Sequence, residues 1–195
     1  TTEIYTLSLH DALPIFHAAC AICRDLTHVR FDFYGEPDEE SARRIHLFES
    51  NNPFPDRIRY HGAVYGEEKN RIIQAMDIFC FPSFYRYETF GIVNLEAMRA
   101  GKPIVTTRHA GLPEIVDHGL GGFIIEPRHL DQLILNLKEL IGDKELRESM
   151  GAYNRKKFSA TFTLDRHVQR WQDLFRQLLD EPRRTNRRGR ADVRH

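Results

Sequence analysis

The chain has 195 residues, of which 41% are hydrophobic and 29% charged, which is the composition of a folded globular domain. Its three cysteines are too few for a disulfide-stapled fold and favour a reducing, cytoplasmic setting. The 28 basic and 28 acidic side chains cancel, but residues 182–195 hold six Arg and one Asp, so the rest of the chain is acidic. Disordered, collagenous and disulfide-scaffold classes are excluded, and no apolar run approaches the roughly 18 residues of a membrane span.

The first fifteen residues, TTEIYTLSLHDALPI, join poorly to the rest of the chain. They resemble the translation of a widely used sequencing-library adapter, and a foreign segment must be set aside before a fold is inferred. We therefore expect residues 1–15 to be non-native and the native sequence to start near Phe16, inside a helix. The alternative interpretation is a native strand and turn.

From residue 16 onwards, strand patterns and helix patterns alternate with short connections. This order predicts a doubly wound parallel α/β sheet. Cys20 and Cys23 lie in the first helical pattern and are interpreted as packed core thiols, because no second ligand pair accompanies them. Strands are predicted at 29–34, 57–61, 77–82, 103–107 and 122–126, and helices at 16–26, 39–49, 67–76, 91–100, 113–116 and 130–141, with only helix after 143.

The end of the chain combines an amphipathic helix with a basic tail. Apolar residues recur at helical spacing from Leu164 to Leu178, including Trp171, so this helix needs an apolar surface to cover. Residues 181–195 have almost no apolar content and are predicted to be disordered. The tail would suit anionic lipid headgroups, and a plain solvated terminus is the other interpretation.

The segment 81–105 is the strongest candidate for a site. It runs from a buried strand through a polar loop into a helix that opens near Gly91, and ligands of parallel sheets bind beyond the carboxyl ends of the strands. The backbone N–H groups of residues 90–93 are expected to be free at the helix start, where they favour an anion.

Two glutamates, Glu88 and Glu96, flank this expected anion site. Carboxylates would repel an anion, so they are better explained as acceptors for neutral hydroxyls on either side of a diphosphate, as in a nucleotide sugar. The spacing alone leaves another interpretation open. Glu96 could be a solvated residue paired with Arg99, and Glu88 a residue that caps the loop.

The stretch ETFGIVNLEAM, together with the later motifs GKPIV, GLPEIV and GGFIIEP, is similar to the donor-binding, C-terminal half of family 4 glycosyltransferases, which are retaining enzymes of the GT-B fold. The resemblance runs from about 31 to 179 and implies a Rossmann-like nucleotide-sugar-binding domain over residues 16–180. It also implies paired glutamates, Glu88 being catalytic, and no metal or cofactor beyond the donor. The donor-binding residues that it implies are Glu88, Thr89, Phe90, Gly91, Ile92, Val93, Glu96, Gly62 and Val64.

The sequence also departs from the family pattern. Glu88 comes six residues after Pro82 instead of four, and Ala110 stands where the next loop usually has Gly. Arg86 in the lengthened loop could reach an anion, and a surface arginine is the simpler interpretation; His109 is expected to be a satisfied loop histidine. The Arg and Lys that the family uses after its first strand are not identifiable, and by the resemblance we expect the acceptor-binding N-terminal domain to be missing from this chain.

The resemblance therefore implies an enzyme that transfers a sugar from a nucleoside diphosphate to an acceptor hydroxyl, of which this chain is a fragment that is inactive alone. Its expected partners are the donor, an acceptor glycan, lipid or small molecule, and the missing N-terminal domain of the same enzyme, with no nucleic acid. The alternatives are a nucleotide-sugar epimerase of the GT-B type and a non-catalytic α/β binding module. Either peripheral contact with a membrane or a purely cytoplasmic location fits the basic tail.

The adapter interpretation predicts that the genomic sequence across the junction diverges from this chain before Phe16. Sequencing of the locus from a fresh, adapter-free template measures this. A genome that encodes residues 1–15 intact would contradict both the foreign origin and the truncation that it implies.

Overall fold

A six-stranded parallel sheet with helices on both faces forms the core of the chain. The computed structural model describes residues 1–7 and 13–180, so the predicted disordered tail at 181–195 lies outside the described residues. The elements, in chain order, are β1 Thr2–Leu7, α1 Leu13–Asp25, β2 Val29–Tyr34, α2 Glu39–Ser50, β3 Ile58–Tyr60, α3 Gly66–Ala75, β4 Ile78–Phe81, α4 Ile92–Arg99, β5 Ile104–Thr107, α5 Leu112–Ile115, β6 Gly122–Ile125, α6 Leu130–Gly142, α7 Lys144–Thr161 and α8 Leu164–Asp180.

The strands lie in the order β3-β2-β1-β4-β5-β6, and each neighbouring pair is parallel. The chain therefore winds outward from β1 in one direction and from β4 in the other. The boundary between β1 and β4 is the topological switch point, where doubly wound sheets bind ligands at the carboxyl ends of the strands. The predicted α/β, Rossmann-like class is confirmed.

The predicted elements from β2 to α6 agree with the structure within one residue at every end. Local signals explain this agreement. The alternating stretch at β2 ends at Gly35, whose φ of 139° lies in a region that favours glycine, and Asp38 caps α2 by accepting a hydrogen bond from the amide of Ser41.

Apolar side chains cover both faces of the sheet. One face, which includes Phe31 and Cys80, packs against α1 and α6, and the other, which includes Phe79 and Phe81, packs against α3, α4 and α5. Cys23 is buried in the first of these layers, and burial raises the pKa of its thiol to about 11. The interpretation as a packed core thiol is confirmed for Cys23, and Cys20 is partly buried; the third cysteine, Cys80, is buried as well.

Residues 2–7 form a central strand of the sheet. The strand β1 pairs with β2 along its whole length and with β4 at Ile4 and Tyr5, and both of these side chains are buried. The expected domain start at Phe16 therefore falls inside α1, and the folded unit includes the strand before it. The foreign origin of residues 1–15 stays a prediction; in the fold, residues 2–7 occupy the position of the first strand.

The last helix, α8, leaves its apolar stripe uncovered within the described residues. Trp171 is 48% exposed, and its ring contacts are with Phe175, at a centroid distance of 5.8 Å, and His167, both on the same helix. The predicted need for a covering surface is thus met by nothing in residues 1–7 and 13–180. None of the described helices is both long enough and apolar enough to traverse a bilayer.

Replacement of Ile4 by alanine tests whether β1 is an integral part of the core. Ile4 is 1% exposed, so Ile4→Ala should lower the free energy of unfolding by about 2–5 kcal/mol through lost burial and a residual cavity. Chemical denaturation followed by circular dichroism measures it, with the exposed Leu47→Ala as the control. An unchanged unfolding midpoint for Ile4→Ala would contradict the placement of β1.

Candidate functional site

A cavity of about 350 Å³ opens at the carboxyl end of the sheet, beside the switch point. It collects the loop after β2, the loop between β3 and α3, the end of β4 and the start of α4. Its lining residues are Gly35, Glu36, Ala63, Val64, Tyr65, Lys69, Phe81, Glu88, Gly91, Ile92 and Val93.

The turn into α4 depends on Gly91. This residue precedes the helix with φ 72° and ψ 57°, a left-handed conformation that side chains rarely adopt. A Cβ at Gly91 would lie 2.3 Å from Cδ2 of Leu112. Glycine is therefore required here by backbone conformation and by packing, and this requirement is independent of any ligand.

The carboxylate of Glu88 holds this turn in place. Its Oε1 accepts hydrogen bonds from the backbone amides of Gly91, at 2.8 Å, and of Thr89, at 3.1 Å. The expectation that all amides of residues 90–93 are free is therefore wrong for Gly91, because Glu88 satisfies it. Ile92 and Val93 begin α4, have no acceptor one turn earlier in that helix, and line the cavity.

Glu96 lies one turn into α4 and forms an ion pair with α3. Its Oε1 is 2.7 Å from Nζ of Lys69, and its Oε2 is buried with no hydrogen-bond partner in the described part of the chain. The alternative pairing with Arg99 is wrong, because Arg99 donates to Oδ1 of Asn70 instead. Glu96 is thus directed toward α3 and the cavity wall, not along its own helix.

The loop after β3 meets the loop after β2 at the cavity. The amide of Gly35 donates to the carbonyl of Gly62 at 2.9 Å, and the hydroxyl of Tyr65 donates to Glu36 at 3.0 Å. Val64 lines the cavity as expected, whereas Gly62 is not a lining residue and meets the cavity wall only through this hydrogen bond to Gly35.

Thr89 and Phe90 are exposed beside the cavity and are not among its lining residues. Thr89 has a structural contact, since its carbonyl accepts the amide of Gly111 at 2.9 Å. Of the nine predicted donor-binding residues, the structure brings Glu88, Gly91, Ile92, Val93 and Val64 to the cavity, and it joins Glu96 to the lining residue Lys69 by an ion pair.

Six lining residues are not among the predicted donor-binding residues, namely Gly35, Glu36, Ala63, Tyr65, Lys69 and Phe81. Two of them carried a usable signal, because Gly35 directly follows one predicted strand and Phe81 lies next to the end of another. Tyr65 and Lys69 carried no such signal, because the start of α3 lies beside the cavity only as a result of the order of the strands in the sheet.

The lengthened loop before Glu88 lies outside the cavity. The guanidinium of Arg86 stacks over the ring of Tyr87, 4.7 Å from its centroid, and both side chains are exposed. Nε2 of His109 lies 2.9 Å from the carbonyl of Tyr85, as expected for a satisfied loop histidine. Ala110 takes a φ of 45°, a left-handed conformation at the position where glycine is usual, so this loop carries local backbone strain.

Comparison with known proteins places these features in a family. Residues 13–157 match the family described as glycosyl transferases group 1. The sulfoquinovosyl transferase of Arabidopsis thaliana is 35% identical over 95 residues, which cover 47% of this chain and 18% of that protein. A GDP-mannose-dependent mannosyltransferase of Mycobacterium tuberculosis, which acts on a phosphatidylinositol monomannoside, is 30% identical over 130 residues, covering 64% of this chain and 32% of the relative.

The fold agrees with the same family. The Anabaena protein HepE, solved in complex with UDP and glucose, superimposes with a TM-score of 0.80 at 19% identity, covering 91% of this chain and 48% of HepE. The chain thus spans about half of that structure and under a third of these two relatives, and its fold is the C-terminal half of a GT-B protein. The family match covers most of the chain, and the chain belongs to the group 1 glycosyltransferases, the retaining family 4 that its motifs resemble.

Proposed function

We propose that the cavity between α3 and α4 is the donor site of a retaining glycosyltransferase and binds a nucleoside diphosphate sugar. The observation that carries this proposal is the convergence of Glu88, the first amides of α4 and the Glu96–Lys69 pair around one cavity at the switch point. Family membership supports the reaction class, and the geometry supports the position of each part of the donor.

The order of groups along the cavity matches the order of groups along a nucleotide sugar. Glu88 stands at the sugar end, where its second carboxylate oxygen can accept a hydrogen bond from a sugar hydroxyl. The amides of Ile92 and Val93 come next, at the start of α4, and suit the diphosphate. Glu96 lies a turn further along and suits the ribose diol, and the loop at 63–65 suits the base.

This layout also supports the chemistry of transfer. When the bond between the sugar and the diphosphate breaks, negative charge builds on the leaving phosphate. Oriented amides at the positive end of a helix dipole stabilise such charge without reorganising. Glu88 is the proposed catalytic residue because its Oε1 is anchored by two amides, so its other oxygen can hold the sugar in a single orientation.

The base of the donor is proposed to be uracil or guanine. HepE was solved with UDP, and the mycobacterial relative is named for its dependence on GDP-mannose. The acceptor is a glycan, a lipid or a small molecule. We propose a cytoplasmic location, and contact of the basic residues 182–195 with anionic lipid would serve a lipid acceptor.

Replacement of Glu96 by glutamine tests the donor site. The loss of a hydrogen bond between a carboxylate and the ribose should weaken binding of UDP or GDP by about tenfold or more. Isothermal titration measures it. The 2′,3′-dideoxy nucleotides should bind to the wild type and to Glu96→Gln with equal affinity. They lack the hydroxyls from which Glu96 is proposed to accept hydrogen bonds.

The matched control is Glu40→Gln, which removes one carboxylate of an exposed ion pair with Arg44 on α2, away from the cavity. This control should bind as the wild type does. No binding of UDP, GDP or their sugars to the wild type, or equal losses for ribo- and dideoxynucleotides with Glu96→Gln, would contradict the proposed site.

Transfer is proposed to require a second domain that presents the acceptor, since HepE and the two relatives are at least twice as long as the region that matches this chain. The purified chain should therefore bind donor without transferring sugar, as measured by release of nucleoside diphosphate in the presence of candidate acceptors. Sustained transfer by this chain alone would overturn that part of the proposal.

A further inference from the structure

Lys69 is the one basic residue among the described residues that line the cavity, whose acidic lining residues are Glu36 and Glu88. It lies in the first turn of α3, and its amide donates to the carbonyl of Tyr65 in the preceding loop. Lys69 therefore stands between the wall proposed for the base and the glutamate proposed for the ribose.

Within the described residues, the ion pair with Glu96 leaves some hydrogen-bonding groups of both side chains without a partner. An ammonium group has three donors, and one of them is directed at Oε1 of Glu96, 2.7 Å away. Oε2 of the same carboxylate is buried without a partner in the described part of the chain. Within the described residues, Lys69 thus brings further N–H groups to the cavity wall, and the carboxylate behind this ion pair keeps one buried oxygen without a partner.

A purely structural role explains this arrangement poorly. The side chains of Lys69 and Glu96 are only 28% and 23% exposed, so both charges lose hydration when the pair forms. Apolar side chains of similar volume would join α3 to α4 without this loss. A ligand with hydroxyl groups that forms hydrogen bonds with both side chains would offset this loss of hydration.

We propose that Lys69 helps to bind the nucleotide sugar. It holds the Glu96 carboxylate in place and donates a hydrogen bond to the nucleoside part of that ligand. This inference rests on the proposed function and extends it to a residue that the paired-glutamate motif does not contain. The acceptor atom is a ribose oxygen or a carbonyl oxygen of the base, since an ammonium group can only donate.

The position along α4 favours the nucleoside over the diphosphate. Lys69 meets this helix at Glu96, three to four residues beyond Val93 and Ile92, which corresponds to roughly 4.5–6 Å along a helix axis. The amides that suit the diphosphate are those of Ile92 and Val93, at the other end of that interval. Lys69 therefore adds specificity at the nucleoside end.

Replacement of Lys69 by methionine tests this role because it keeps the length of the side chain and removes its charge and donors. Titration of the full chain with uridine, UDP, guanosine and GDP should show a loss of fivefold or more for the nucleoside of the preferred base. The corresponding diphosphate should lose the same factor. Lys69→Arg should retain most of the affinity. The double variant Lys69→Met/Glu96→Gln should bind the nucleotide about as well as the weaker-binding of the two single variants, because the two groups act together.

The matched control is Lys138→Met, which breaks a lysine–carboxylate pair of 2.6 Å with Asp25 outside the cavity and should leave binding unchanged. Wild-type affinity in Lys69→Met, or a loss confined to the diphosphates, would overturn the inference while leaving the proposed function standing. A wild-type chain that binds none of these ligands would instead refute the proposed function. Equal losses in Lys69→Met and Lys69→Arg would show that charge is irrelevant and would also overturn the inference.

Discussion

The hydrogen bond from the Gly91 amide to the Glu88 carboxylate determines where α4 begins, and the rest of the site depends on it. Gly91 turns the chain through a left-handed conformation, and Leu112 fills the space that a side chain at this position would need. The first amides of α4 consequently face the cavity, and Glu96 arrives one turn later in contact with Lys69. A single turn thus couples the proposed sugar, diphosphate and ribose positions.

The central strands give this turn its fixed support. The strands β1 and β4 lie side by side at the switch point. The loop that carries Glu88 follows the carboxyl end of β4. The side chain of Tyr5 in β1 stacks on Tyr34 of β2, with ring centroids 5.6 Å apart, so the strand packs through its side chains as well as its backbone. Whatever the origin of residues 1–15, the described fold needs a strand at this position.

Most elements could be predicted from local sequence, and the site only in part. Strands and helices in this chain end at glycines, prolines and polar caps, which act within a few residues and are visible in the sequence. Glu88 and Glu96 were identifiable because the motif that contains them is contiguous. Lys69 was not, because 27 residues and a strand separate it from Glu96. Helical spacing suggested Arg99 as the partner of Glu96. In the structure α3 packs against α4, so Lys69 forms the ion pair with Glu96 and Arg99 donates to Asn70.

A crystal structure of this chain grown with UDP or GDP tests the account most directly. It should show the diphosphate at the amides of Ile92 and Val93, the ribose hydroxyls at Glu96, and the base against the loop at 63–65, with Lys69 within hydrogen-bond distance of the nucleoside. A nucleotide bound elsewhere on the sheet, or one whose phosphates lie at Glu96, would contradict the central claim that this cavity is a nucleotide-sugar donor site.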